Sequence, residues 1–267
     1  LETAQRNLAD ADRLASLGMM SAGIAHELNT PLAVIKGSVE QIAQDPSRPV
    51  EPARAALMLR VVQRLERLSE SLLDFARVRP PQSREIDIAT LVDEAATLVR
   101  LDRSIRMPSF ENQVPPSLRA VCDPDRMTQV LVNLIRNAAD AMTGGTRVSS
   151  REPMIAVSAD ETRKDGRGWV SLRIRDNGPG ISPAILSRLF EPFASTRLDS
   201  RGTGLGLAVA EGIVREHGGV LLARNLIGTD QAPLGAEFEI LLPQAPTGPA
   251  PVEYAASDAG DKPSGPP

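Results

Sequence analysis

The chain has 267 residues, a formal net charge of −4 and a hydrophobic fraction of 42%. That length holds one large domain or two ordinary ones, and that much apolar sequence excludes global disorder. The mildly acidic balance, with no basic block, excludes an electrostatic footprint for nucleic acid or for a membrane surface.

In chain order, the first segment, from about Glu2 to Gln44, reads as one long helix. Leu14, Leu17, Ser21, Ile24, Leu28, Pro31 and Ile35 follow alternating three- and four-residue steps, a heptad-like seam. Asp45-Pro46-Ser47-Arg48-Pro49 breaks it. A second helix is predicted over about Pro52–Arg77, with Met58, Val61, Leu65, Leu68, Leu72 and Phe75 on an equally regular seam. Two such helices joined by a short loop form an antiparallel hairpin. One hairpin has too narrow a core to stand alone, so the expected solution is a homodimer that closes a four-helix bundle. Arg79-Pro80-Pro81-Gln82 is a stiff hinge.

Beyond the hinge the pattern becomes mixed α/β. A short strand near Glu85–Ile88 leads to a helix around Ala89–Arg100, then to an irregular, proline-bearing stretch. A strand near Leu118–Cys122 ends at Asp123-Pro124, an N-cap followed by proline at the first helical position. The helix that follows, to about Met142, carries Val130, Leu131, Leu134 and Ile135 on its apolar face. Strands at Ile155–Ala159 and Val170–Ile174 flank a turn containing Lys164-Asp165-Gly166. A glycine-rich region precedes a helix near Leu205–His217, and strands near Val220–Arg224 and Ala236–Leu242 close the domain. The expected divisions are a helical domain at 1–79, an α/β domain at 84–243 and a disordered tail at 244–267.

Cys122 is the only cysteine, and with His26 and His217 it makes a structural zinc site very improbable. It reads as a small buried apolar residue. No apolar run approaches the ~20 residues of a membrane span and no signal peptide is visible, so a soluble, cytoplasmic chain is expected. The opening on Leu1, in mid-helix pattern, points to a piece of something longer.

Five stretches can carry chemistry. His26-Glu27-Leu28-Asn29-Thr30-Pro31-Leu32 places an imidazole away from the helical seam, at about 100° per residue. A carboxylate beside it can take a ring proton and raise the nucleophilicity of the other nitrogen. Pro31 removes the amide that would bond to the carbonyl of Glu27, loosening the helix beside the histidine. Asn133 and Asn137, four apart, share one helix face; their amide oxygens can bind a hard cation such as Mg²⁺ and their NH2 groups can donate to phosphate. Asp176-Asn177-Gly178-Pro179-Gly180-Ile181 is a tight loop after a strand, in which Asp176 can accept from an exocyclic amine. Gly202-Thr203-Gly204-Leu205-Gly206-Leu207 opens a helix whose free amides can cradle phosphate. It is neither a P-loop nor a dinucleotide fingerprint, since no Gly-Lys-Ser/Thr follows and no strand directly precedes it. Between the last two, Phe190 and Phe193 anchor a segment in which Ser195, Thr196 and Arg197 offer hydroxyls and positive charge to phosphates.

In conjunction these stretches resemble the catalytic core of bacterial two-component sensor histidine kinases, over roughly residues 10 to 243. His26 to Leu32 looks like the phospho-acceptor box, Asn133 to Asn137 the asparagine box, and Asp176 to Ile181 the first glycine box. Leu189 to Phe193 looks like the phenylalanine box and Gly202 to Leu207 the second glycine box, all in the family's order. The short stretch between Phe193 and Gly202 is most similar to the branch with nitrogen-regulation and dicarboxylate-sensing kinases. The resemblance implies a two-domain protein: a dimeric helical hairpin, then an ATP-binding α/β sandwich of the gyrase and histidine-kinase type. It implies autophosphorylation of His26 from ATP, with Glu27 as general base, and transfer to an aspartate of a response regulator. Thr30 would position water for dephosphorylating that regulator.

For the nucleotide, the resemblance implies that Asn137 binds Mg²⁺, Asn133 helps with the phosphates and Asp176 reads the adenine amine. Gly178, Gly180 and Phe190 belong to that site, as do Thr196, Arg197, Gly202, Thr203, Gly204, Leu205 and Gly206, with 196 to 203 forming the ATP lid. Ala194 stands where a bulky residue is frequent and Arg197 where lysine often stands. His217 matches no box and reads as a favourable C-terminal charge or cap. The chain would then be the cytoplasmic part of a longer or membrane-anchored sensor. Two other readings stay open: an ATPase of the same superfamily without histidine phosphorylation, and a degenerate kinase used as a signalling scaffold.

Overall fold

The computed structural model describes residues 23–25, 27–47, 49–76, 81–143, 152–164, 166–194, 204–228 and 233–244. Two helices come first: α1, helical at 23–25 and 27–44, and α2, Pro52–Ala76. The predicted seam is turned inward. Pro31 and Leu68 are buried, and Leu28, Ile35, Met58, Val61, Leu65 and Leu72 are half-buried. The earlier seam residues Leu14, Leu17 and Ser21 lie outside the described residues. A second apolar stripe stays open to solvent, with Leu32, Val39, Leu59 and Leu73 each about half exposed or more.

The α/β part begins with β1, Arg84–Asp87, whose last residue caps α3, Ile88–Leu101: the Asp87 carboxylate accepts the Thr90 N–H at 2.9 Å. Helix α3 buries Ile88, Leu91, Val92, Ala95, Ala96 and Val99 along one face. Strand β2, Ser109–Asn112, follows, then β3, Arg119–Cys122, which pairs antiparallel with β1. Asp123 caps α4, Pro124–Thr143, by accepting from the amides of Asp125 and Arg126 at 3.1 and 3.2 Å. Strands β4, Met154–Lys164, and β5, Arg167–Asp176, form a long hairpin whose turn needs Gly166 at φ 76°. After them come the single turn α5, Pro183–Leu186, helix α6, Gly206–Glu216, and strands β6, Val220–Ile227, and β7, Pro233–Pro243.

The main sheet runs β2-β4-β5-β7-β6, with β2 parallel to β4 and every other pairing antiparallel. Helix α4 packs between α3 and α6. Alternate residues of β5 and β7 (Val170, Leu172, Ile174; Phe238, Ile240, Leu242) join Leu131, Leu134, Ile135 and Ile213 in one core. The opposite face of the sheet is polar. Arg173 reaches Asp160 at 2.7 Å and Glu239 at 3.2 Å, and the buried Glu237 sits between Arg175 and Arg224. Cross-strand ion pairs let that face meet water while the other stays dry.

The sequence-based elements differ from the structure in three places. Strand β2 lies inside the stretch expected to be irregular; it is four residues of weak strand preference, held by its parallel contact with β4 and by Asn112, whose amide donates to the Ala89 carbonyl and the Asp93 carboxylate of α3. Strands β4 to β7 run longer than predicted, because polar residues on the outer face are paired across the sheet. Ile88 starts a helix rather than ending a strand, since Asp87 caps it.

Candidate nucleotide site and phospho-acceptor segment

Helix α4 brings the expected nucleotide residues together. Asn133 sits on its half-buried side and donates from its amide to the carbonyl of Gly206, at 3.2 Å, where α6 begins. A Cβ on Gly206 would meet that same amide at 3.7 Å, so the start of α6 lies directly over Asn133. One turn further on, Asn137 is half-buried and its amide has no hydrogen-bond partner among the described residues. An unpaired amide oxygen beside a helix start suits a hard cation bound together with phosphate oxygens. Leu205, whose side chain is fully buried, immediately precedes α6.

At the other end of α4, Gly178 packs against Met142 and Ala141, where a Cβ would come within 3.1 and 3.8 Å of their side chains. This places the loop after β5 beside α4. Asp176 is 5% exposed; its Oδ1 accepts from the amides of Gly178 at 2.9 Å and Ala236 at 3.3 Å, and its Oδ2 has no partner among the described residues. Burial pushes the Asp176 carboxyl above its ordinary range, outweighing the two amides that favour the charged form. The neighbouring Asn177 is consumed by structure: it donates to the Glu152 carbonyl at 2.7 Å and accepts from the Met154 amide at 2.8 Å. Of that pair, only Asp176 keeps a side-chain acceptor unengaged among the described residues.

Sequence reasoning missed what holds this loop from behind. Gly235, at φ 148°, lies so close that a Cβ would sit 1.8 Å from the Asp176 carbonyl oxygen. Asn225 on β6 accepts from the Ile181 amide at 2.6 Å and donates to its carbonyl at 2.8 Å. No local pattern marks either residue, because both act on a segment more than forty positions away.

Leu189 is buried and Phe190 packs half-buried against the core. Phe193 takes φ 63°, and its amide donates to the Gly204 carbonyl at 2.8 Å. Gly204, at φ 69°, has no room for a Cβ, which would lie 2.7 Å from Phe193 Cα. The two ends of the expected lid are thus joined by one backbone clasp. Ser195, Thr196, Arg197, Gly202 and Thr203 lie outside the described residues. The Phe193 ring also rests on Gly23 of α1, where a Cβ would meet Cδ2 at 3.2 Å.

The phospho-acceptor candidate His26 lies outside the described residues. Its neighbour Glu27 is ion-paired with Arg64 of α2 at 2.8 Å, both partly buried between the helices. Thr30 is exposed on α1.

His217 is not a C-terminal charge. Its Nδ1 lies 2.8 Å from the Ile213 carbonyl and its Nε2 accepts the Asp123 amide at 3.0 Å, which requires the neutral ring with the proton on Nδ1. The cap half of the expectation stands, and the ring ties the end of α6 to the start of α4. Burial works to raise the Asp123 carboxyl, but the amides of Gln82, Arg126 and Asp125 win and hold it below the usual range. Cys122 is fully buried, and burial with the adjacent Asp123 charge pushes its thiol up to about 12.

A two-layer sandwich with cation-capable amides, a helix start and a buried carboxylate around one helix defines an ATP-binding domain, here preceded by a helical hairpin. The model for histidine kinase-, DNA gyrase B- and HSP90-like ATPases matches residues 122–246, and that for the His kinase A (phospho-acceptor) domain matches 16–81. Among curated relatives, the sensor histidine kinase ZraS of Klebsiella oxytoca is 35% identical over 90% of this chain and 48% of its own length. The C4-dicarboxylate transport sensor protein DctB of Rhizobium meliloti is 32% identical over 92% of this chain and 37% of its own length. Histidine kinase ThkA, solved in complex with the response regulator TrrA, shares the fold with TM-score 0.69 at 22% identity, over 92% of this chain and 67% of that one. The chain belongs to the sensor histidine kinases. It spans half or less of the length of the curated relatives it matches. Among the described residues, no helix is long and apolar enough to cross a membrane.

Proposed function

We propose that this chain is an ATP-dependent protein-histidine kinase core that phosphorylates its own His26 and passes the phosphoryl group to an aspartate of a response regulator. The convergence of Asn133, Asp176 and the start of α6 around one helix, next to a hairpin bearing His26 and Glu27, carries this reading. A ring nitrogen of His26 attacks the γ-phosphorus, the bond to the departing oxygen breaks, and ADP leaves. Glu27 takes the ring proton. Asp176 accepts from the adenine amine, and Asn133 and the first amides of α6 hold phosphate oxygens. Asn137 would hold Mg²⁺, which when bound would neutralise charge on the phosphates. The domains divide as 1–79 for dimerisation and phosphotransfer and 84–243 for catalysis.

The open stripe on α1 and α2 supports a homodimer, since Leu32, Val39, Leu59 and Leu73 stay about half exposed or more among the described residues. The regulator seated on ThkA supports a receiver domain as the second partner. Incubation with γ-labelled ATP tests the whole reading. Acid-labile, base-stable label on the chain is expected; ATP hydrolysis without label would leave a plain ATPase, and neither would leave a scaffold.

Two further outcomes follow from the same roles. Asn137→Ala is expected to lose autophosphorylation by about 100-fold or more while remaining folded and dimeric, because positioning and charge stabilisation supply most of phosphoryl-transfer catalysis. Labelling rates with circular dichroism check this; activity within a few-fold of the parent would make Asn137 an ordinary polar surface residue. Thr30→Ala is expected to keep most labelling and phosphotransfer but to lose phosphatase action on the regulator. That action needs a water held in line with the acyl phosphate, a task for a hydroxyl and not a methyl group. The lifetime of the phosphorylated regulator, measured with ADP present, decides it: an unchanged lifetime leaves Thr30 no role.

A further inference from the structure

We infer that Asn225 is a positioning residue for the adenine-binding loop, setting ATP affinity and base selectivity from the edge strand β6. The proposal rests on the reading that Asp176 accepts from the adenine amine. The loop from Asp176 to Ile181 carries two glycines and makes few bonds of its own. Its entrance is fixed by Asp176, whose Oδ1 takes the Ala236 amide. Its exit is fixed by the Asn225 side chain, which takes both the N–H and the C=O of Ile181, at 2.6 and 2.8 Å, while the Ile181 side chain packs against the core. Asn225 pairs with Ala236 across β6 and β7, so the two ends of the loop are held by opposed residues of one strand pair. That arrangement copies a rung of a β-ladder with a side chain in place of a third strand. Between those ends, Gly180 at φ 77° passes so near that a Cβ would lie 2.8 Å from the Asn225 Oδ1. Glycine is required there both for its backbone angle and for this approach.

The amide group is specific to the task. One oxygen must accept and one NH2 must donate, in the plane of the Ile181 peptide edge, and asparagine supplies both at a half-buried site. Without the clasp the exit of the loop is free to move, and the distance from Asp176 to the pocket floor is no longer set before ATP arrives. ATP binding then has to order the loop, which lowers affinity without touching the phosphates. Chemistry at saturating ATP is left intact.

The test uses the whole chain with Asn225→Ala and Asn225→Asp. The probes are ATP and inosine triphosphate, which lacks the exocyclic amine. For the alanine variant ATP should bind roughly tenfold more weakly, because two main-chain hydrogen bonds are lost. KM for ATP should rise in parallel, kcat should stay within about twofold, and the preference for ATP over inosine triphosphate should shrink. Asn225→Asp keeps the shape and the acceptor but sets an oxygen against the Ile181 carbonyl, and should bind ATP no better than the alanine variant. Wild-type-like affinity in either variant, a fall in kcat at unchanged KM, or loss of the folded state in both would overturn the proposal. Asp176→Asn is the control for the underlying reading: if it binds ATP like the parent, the adenine assignment fails whatever Asn225 does.

Discussion

His26→Gln should abolish transfer of label from γ-labelled ATP while ATP affinity stays within about twofold, since the change removes the proposed nucleophile and leaves every residue proposed to bind nucleotide in place. Glutamine is close in size and polarity but has no basic nitrogen with a free lone pair, so the nucleophile goes and little else does. The residues proposed to bind nucleotide lie on α4, α6 and the loop after β5, none of which contains His26. Binding and labelling should therefore separate cleanly. Label that persists in the variant at the parent's stoichiometry would remove His26 from the reaction. The same variant, mixed with one that cannot bind ATP, asks whether transfer runs within a subunit or across a dimer.

The second large effect is expected at a residue that touches no nucleotide. Gly235→Ala places a methyl group where the Asp176 carbonyl oxygen already stands, 1.8 Å away, on a backbone at φ 148° that alanine resists. Neither strand can yield easily. Position 235 pairs with Leu226 on β6, and Asp176 is the last residue of β5, in register with Ile155. A destabilisation of at least about 3 kcal/mol should result from the strained backbone and the overlap together. Affinity for ATP should drop by more than about 100-fold if Asp176 is displaced, in line with the loss of a buried hydrogen-bonding partner. Thermal melting and titration with a fluorescent ATP analogue measure the two effects. A variant that melts and binds within error of the parent would mean that β7 gives way without consequence beside the register shift at Leu226/Ile227.

The helical hairpin was legible because its signal is local. Seam residues recur every three or four positions, and the break at Asp45-Pro46 stands in the sequence itself. The caps at Asp123 and the glycine boxes were readable for the same reason. What escaped was set by partners remote in sequence. Strand β2 is a strand only because β4 lies beside it, and Ser-Phe-Glu-Asn announces nothing alone. Glu27 can be read from sequence as a base, but its ion pair with Arg64 spans 37 positions. The amide that Nε2 of His217 accepts lies 94 positions away, so in sequence a helix-end histidine reads as a charge or a cap alike. Asn225 and Gly235 shape the nucleotide loop from strands that follow it by dozens of residues.

The Asp123 carboxylate also fastens the entrance of the α/β part. Its Oδ2 accepts the Gln82 amide at 2.8 Å, and His217 braces the Asp123 backbone from the end of α6. From Gln82 onward the chain is therefore moored to the first turn of α4 by a charged bond. That mooring stands on the same helix that carries Asn133 and Asn137, so the entrance of the α/β part and the candidate nucleotide residues share one rod.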